Sequence, residues 1–219
     1  MSRLGLLFDL DGTLVDTDHL HHGAFVAILA ERGRDLTVDE YRTHIMGQPN
    51  AAILDRYFAG EDSAVLERKE RMFRESLSAS VTPVAGIHAL LDWAEAGGVG
   101  CAVVTNAPRD NAVAMLAAAG LAARLPLLVI GDECERAKPD PAPSRAAMAA
   151  LGVTPSRSVA FEDSRSGLRA ARGAGAHVFG LTTGLPAAEL RQAGAHQAIA
   201  DFTDPALWAH LDQLGVRVA

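Results

Sequence analysis

Cysteine is nearly absent from this sequence. Cys101 and Cys134 are the only two, and they form no CxxC pair. That excludes a paired-thiol metal or redox motif and argues against a disulfide scaffold. Cys101 lies in the apolar run Val99–Val104 and reads as a small buried hydrophobe. Aromatic residues make up only 5% of the chain, so its core is aliphatic and alanine-rich. Blocks of basic residues are missing, and 27 acidic residues outnumber 20 basic ones for a formal net charge of -7. A nucleic-acid scaffold is therefore not expected, although one local cationic pocket remains compatible with that balance. No run of 18 uninterrupted apolar residues occurs, so no membrane partner is expected either. Met1–Leu10 is too short, and turns acidic too soon, for a secretory signal, which makes the cytoplasm the expected location.

What is present is ample apolar material: 49% of 219 residues are hydrophobic and 21% are charged. That suits one sizeable domain, or a domain carrying a smaller inserted module, and not a disordered chain. Short apolar runs recur at Leu4–Leu10, Val99–Val104, Leu125–Ile130 and Ser158–Phe161, with weaker members at Ala176–Leu181 and Ala198–Ala200. They do not alternate strictly, as expected for strands buried on both faces of a parallel sheet. Helical spacing at His88–Ala96, Asp110–Ala119, Pro143–Leu151 and Ser166–Ala174 separates them, and Gly120, Gly152 and Gly175 stand where helices commonly stop. The expected fold is an open, Rossmann-like parallel α/β sheet with helices on both faces.

One interval breaks this rhythm. Between Asp16 and Ser80 no strand is legible, and helical patterns run around His19–Arg32, Thr37–Ile45, Asn50–Phe58 and Ser63–Ser78. That is too much helix for one crossover. It predicts an inserted all-helical cap, residues 16–84, within a core of residues 1–15 and 85–219, with joints near Val15–Thr17 and Ser80–Gly86.

In open α/β sheets the functional edge lies outside the carboxyl ends of the strands. Asp9, Asp11, Gly12 and Thr13 follow the first run, Thr105 and Asn106 the second, Lys138-Pro139 the third, and Glu162, Asp163 and Ser164 the fourth. Carboxylates gathered without a matching row of lysines call for a hard cation such as Mg²⁺. A lysine, a hydroxyl and backbone N–H groups can hold a phosphate dianion. Taken singly these features mean little: a DxD also caps loops, a lone lysine is ordinarily solvated, and Glu162-Asp163 can open a helix. The ordered set, each member at a strand end, points to metal-assisted phosphate chemistry. Gly12 reads as a tight-turn glycine, Gly167 as a close-packing one and Ser164 as a helix cap.

These motifs resemble those of the haloacid dehalogenase-like hydrolase superfamily. DLDGTLVDT at Asp9–Thr17, Thr105-Asn106, Lys138-Pro139 and FEDSRSG at Phe161–Gly167 stand in the family's order, and a helical cap follows the first motif. The resemblance is closest to the subgroup of phosphoglycolate phosphatases, small sugar-phosphate phosphatases and β-phosphoglucomutase. It implies that Asp9 is the nucleophile that forms an aspartyl-phosphate and Asp11 the general acid and base. It further implies that Asp9, the Asp11 carbonyl and Asp163 hold Mg²⁺ with Glu162 ligating or holding its waters. Thr105, Asn106 and Lys138 would bind the phosphoryl group.

In the cap, Thr17 and His21 resemble positions near the catalytic centre. Asn50 stands where hexose-phosphate mutases of this subgroup carry an arginine, which weakens the alternative of a β-phosphoglucomutase-type mutase. Lys69 is the preferred cap cation among Arg56, Arg68, Lys69, Arg71 and Arg74. Dehalogenases of this fold lack an acid two residues after the nucleophile, whereas Asp11 is present here. The expectation is a Mg²⁺-dependent phosphatase of a small phosphomonoester, either a sugar phosphate or a phosphoglycolate-like ester. An α/β core of this size can stand alone, so a monomer or weak homodimer is expected.

Overall fold

A computed structural model describes residues 3–77 and 81–216. Among these residues six parallel strands form one sheet: β1 (Gly5–Phe8), β2 (Gly100–Thr105), β3 (Leu128–Ile130), β4 (Ser158–Glu162), β5 (His177–Leu181) and β6 (Gln197–Ile199). Their spatial order is β3-β2-β1-β4-β5-β6, so the strand order reverses beside β1. That reversal point is where open α/β sheets bind ligands.

Alternation along the strands sends successive residues to opposite faces. Leu6 and Phe8 join one core cluster, while Leu7, Ala102, Val104 and Ala160 join the other. The first cluster is closed by α5 (Ile87–Ala96), α6 (Arg109–Ala118) and α10 (Pro205–Gln213). Phe8, Phe161 and Phe179 stack across three neighbouring strands within it, at centroid separations of 5.0 and 5.7 Å. The second cluster is closed by α7 (Ala142–Leu151), α8 (Arg165–Gly173) and α9 (Ala187–Ala193). Full burial of each such aliphatic or aromatic side chain contributes roughly 1.5–3 kcal/mol.

Among the described residues four helices intervene between β1 and α5: α1 (Asp18–Ala30), α2 (Val38–His44), α3 (Asn50–Tyr57) and α4 (Ala64–Ser76). They match the four helical patterns of the interval. Ser78 and Ser80, at the end of the last pattern and the start of the second joint, lie outside the described residues. Val15 bridges Pro83, and Val84 N–H donates to Leu14 O at 2.9 Å. The two crossings of the chain thus lie side by side, which supports the proposed division at 16–84.

Two expectations need correction, and two helices go beyond those expected. The run Leu125–Ile130 yields a strand only over Leu128–Ile130, because Pro126 has no N–H to give a ladder. Cys101, near the amino end of β2, is half-buried rather than buried, with desolvation pushing its thiol up to about 12. Helices α9 and α10 were not expected, although Asp204 accepts from Ala206 N–H at 2.8 Å just ahead of Pro205, a helix start that the sequence spells out. Among the described residues no helix is long and apolar enough to cross a membrane.

Candidate active site

Parallel register brings the candidate residues to one edge. Phe8 pairs with Phe161 on one side and Val103 on the other. The next residue on β1's path, Asp9, therefore stands level with Glu162, and Thr105 lies one step farther out. Asp9 N–H still donates to Phe161 O at 2.9 Å, which fixes the nucleophile candidate against β4.

Lys138 reaches the same point from the loop after β3. Its ammonium donates to Asp9 Oδ1 at 2.6 Å and to Glu162 Oε1 at 2.6 Å. Asn106 braces that loop. Its carboxamide accepts from Lys138 N–H at 3.1 Å and donates to Lys138 O and to Gly47 O of the cap, both at 3.0 Å. The resemblance places Asn106 on the phosphoryl group, so this side-chain brace of the Lys138 loop is an addition. Thr105 is buried, and its hydroxyl accepts from Ala107 N–H at 3.0 Å.

Asp9, Glu162 and Asp163 bring carboxylate oxygens within 4.8 Å of one another. Glu162 Oε2 and Asp163 Oδ2 are buried without a hydrogen-bond partner. Three glycines make room for them, among them Gly184, where a Cβ would overlap Asp163 Oδ2. A Cβ on Gly12, whose φ is 71°, would overlap the Asp163 carboxylate, and a Cβ on Gly167 would overlap that of Glu162. Gly167 therefore serves the site itself, beyond helix packing. Ser164 caps α8 by accepting from Gly167 N–H at 3.1 Å.

Such a cluster is electrostatically costly without a cation. Burial pushes Asp9 up to about 6, more than Lys138 lowers it. Burial likewise pushes Glu162 up to about 8, and holds Asp163 well above the carboxylate range with help from Asp18 and Asp9. Burial alone would lower the Lys138 ammonium, but Asp9 and Glu162 outweigh it and hold it above the usual lysine value. Buried, unpartnered carboxylate oxygens in a glycine cradle fit a hard divalent cation.

Asp11 faces the other way, toward the cap. Its Oδ1 accepts from the Thr17 hydroxyl at 2.6 Å and pairs with His21 Nε2 at 3.0 Å. Burial works to raise its pKa, but His21 and Thr17 prevail and hold it low. The His21 ring stacks on Phe73 at 3.7 Å, and its Nδ1 meets Lys69 Nζ at 2.7 Å. An ammonium only donates, so His21 Nδ1 accepts and Nε2 carries the proton given to Asp11. Lys69 is buried over the Phe25 ring and also donates to Glu70 Oε2 at 3.1 Å. Asn50 donates to Glu70 Oε1 at 2.9 Å.

All eleven expected site residues thus fall around one centre, although Asn50, Lys69, His21 and Thr17 reach it from the cap side. A cavity of about 70 Å³ is lined by Asp9, Asp11, His21, Lys69, Lys138 and Asp163, among others. A wider groove of about 570 Å³ adjoins it and shares Asn50, Glu70 and Pro108. The sequence reading missed Asp18, Glu70 and Tyr41, which also line the cavity. Glu70 had a legible signal. Val65, Leu66, Lys69, Glu70 and Phe73 form the buried stripe of α4, and a charged pair in the middle of an apolar stripe needs a reason.

A six-stranded sheet in this order, with an inserted helical cap and an acidic cluster facing one lysine at its carboxyl edge, defines the class. The chain belongs to the haloacid dehalogenase-like hydrolase family, whose model matches residues 6–181. Among curated relatives, it is 33% identical over 209 residues to a validoxylamine A 7'-phosphate phosphatase from Streptomyces hygroscopicus subsp. limoneus, covering 94% of this chain and 96% of that one. It is 31% identical to a phosphorylated carbohydrates phosphatase from Thermotoga maritima, covering 82% and 86%. Among solved structures, a CbbY variant from Rhodobacter sphaeroides in complex with xylulose-(1,5)bisphosphate superposes with a TM-score of 0.81 at 27% identity, covering 93% and 96%.

Proposed function

We propose that this protein is a Mg²⁺-dependent phosphatase of small phosphomonoesters, of the sugar-phosphate kind, working through an aspartyl-phosphate on Asp9. The observation that carries the reading is the Asp9–Lys138–Glu162–Asp163 cluster: a carboxylate aimed from a strand end, with one ammonium on it and two unpartnered acid oxygens beside it. The names of the relatives, which describe phosphatases acting on phosphorylated carbohydrate-like molecules, support the substrate class.

Asp9 attacks phosphorus through a carboxylate oxygen, and the ester P–O bond breaks as the acyl phosphate forms. Lys138, the Thr105 hydroxyl and the Asn106 N–H hold the phosphoryl oxygens, and Lys138 offsets their charge against that of Asp9. Asp11, with Oδ1 fixed by Thr17 and His21, presents its other oxygen to the leaving group and delivers a proton there. The charge of the arriving phosphate raises the proton affinity of Asp11 for this step. The same oxygen then takes a proton from the water that attacks the acyl phosphate, and inorganic phosphate leaves with Asp9 restored. Asp9, Asp163, the Asp11 carbonyl and Glu162 would hold the magnesium ion, which supplies the positive charge that lets a carboxylate approach a phosphate dianion. The cap excludes other water.

Asn50 places a neutral carboxamide, already engaged by Glu70, where the mutase reading expects an arginine, so hydrolysis is the stronger reading. The test is a panel of phosphomonoesters, including pentose, hexose and polyol phosphates and phosphoglycolate, assayed with Mg²⁺ and ranked by kcat/KM. Phosphate release from sugar phosphates above the rest supports the assignment. Absence of release from every ester sinks it, and transfer of phosphate to a sugar product in place of water favours the mutase.

A further inference from the structure

Asn111 belongs to the core, in the first turn of α6, and is fully buried. Nothing in the chemistry above uses it. Yet its carboxamide spans the seam between core and cap. Its Nδ2 donates to Glu70 Oε2 at 2.6 Å, and its Oδ1 accepts from Arg74 at 2.6 Å. Both partners lie on cap helix α4. The amide has only this orientation, because the reverse would set NH₂ against a guanidinium and oxygen against a carboxylate.

From Glu70 the hydrogen bonds run on without a break. Glu70 Oε2 holds Lys69, Lys69 holds His21 Nδ1, and His21 Nε2 holds Asp11. A path that leaves the core at Asn111 thus returns to it at the acid–base residue, through side chains that are nearly all buried. Burial works to raise the Glu70 carboxyl, but the Lys69 ammonium, joined by the Asn50 hydrogen bond, outweighs it and holds it ionised. An ionised, buried carboxylate needs a full set of donors, and Asn111 is the one that the core supplies. Glu70 also stands between the catalytic cavity and the outer groove, since it lines both.

We propose that Asn111 is a positioning residue: it anchors Glu70, and through Lys69 and His21 it holds Asp11 in place for proton transfer when the cap is shut. The inference rests on the phosphatase reading, in which Asp11 is the acid and base. The simpler account is a clasp that only steadies the cap. The two differ in what they do to different leaving groups. In the first transfer, which kcat/KM reads, a misplaced Asp11 hurts esters that need a proton on the leaving oxygen and spares those that do not, whereas hydrolysis of the acyl phosphate is common to all esters and slows alike in kcat. A loosened clasp lowers both alike.

The experiment compares p-nitrophenyl phosphate with a sugar phosphate that the wild-type protein hydrolyses, using Asn111→Asp and Asn111→Ala. Asn111→Asp sets two carboxylates together and should lower kcat/KM on the sugar phosphate by roughly tenfold or more while changing kcat/KM on the aryl ester less than about threefold. Asn111→Ala, which adds no charge, should shift the ratio in the same direction. An independent reading comes from ¹⁵N NMR of His21 in the metal-free protein: the wild type should show a single Nε2–H tautomer, and Asn111→Ala a mixture. An unchanged aryl-to-sugar ratio in folded Asn111→Ala would overturn the proposal. If both Asn111 variants fail to fold, an unaltered His21 tautomer in Glu70→Gln overturns it. A wild-type protein that releases phosphate from neither ester brings down the phosphatase reading itself, and this inference with it.

Discussion

Lys138 Nζ lies 2.6 Å from Asp9 Oδ1 although 129 positions separate the two in sequence. The contact is made by fold alone: β1 supplies one partner, and the loop after β3, braced by Asn106, supplies the other. Lys138→Ala should leave the protein folded, as judged by circular dichroism, and lower turnover by about 10²–10³. Restoration by Lys138→Arg should be poor, because a planar guanidinium cannot reach both Asp9 and Glu162 from a fully buried position. Wild-type turnover in folded Lys138→Ala would return the residue to a structural role.

The acidic cluster predicts a metal-dependent stability as well as a metal-dependent rate. Chelation should abolish turnover, Mg²⁺ should restore it, and Ca²⁺, with its looser coordination, should inhibit. At a hundredfold excess over Kd, Mg²⁺ should raise Tm by roughly 5–10 °C. Asp163→Asn should lose most of that rise. Full activity in exhaustively chelated protein would contradict the assignment of these oxygens to a cation.

A second titratable group lies away from the site. His177 stacks on His196 at 4.3 Å and on His210 at 3.8 Å, with Arg172 of α8 against His196. Burial and the two neighbouring rings lower His177 from 6.5 to about 4, and burial lowers His196 and His210 as well. The folded state therefore binds fewer protons than the unfolded chain below pH 6.5. Stability from this stack is fully present above that pH and declines as pH falls toward 4. His177→Phe should flatten the acid limb of a Tm-against-pH curve while leaving the neutral plateau close to wild type. A variant whose acid limb matches the wild type would remove the stack as the cause.

Much of this arrangement is legible in the sequence alone. The strand runs, the four helical patterns between Asp16 and Ser80, and the polar residues at strand ends each follow from local chemistry that the sequence displays. Two kinds of feature stayed hidden. Short or proline-bounded elements such as α9 carry too little periodicity to stand out. Contacts made by side chains from distant elements, such as Asn106 on the Lys138 loop or Asn111 on Glu70, depend on how the cap sits on the core. The polar residues of the α4 stripe were the one readable hint of that seam.

The central claim is that Asp9 carries the phosphoryl group and Asp11 moves protons around it. Rapid-quench trapping with p-nitrophenyl phosphate, followed by peptide mass analysis, tests it most directly. Asp11→Asn should still form the intermediate, since an aryl leaving group needs little protonation, but should release it slowly because the attacking water has lost its base. Phosphoenzyme should therefore accumulate in Asp11→Asn with the label on Asp9, and should be absent from Asp9→Asn. A label on another residue, such as His21 or Ser164, or an equal phosphoenzyme yield from Asp9→Asn, would contradict the account.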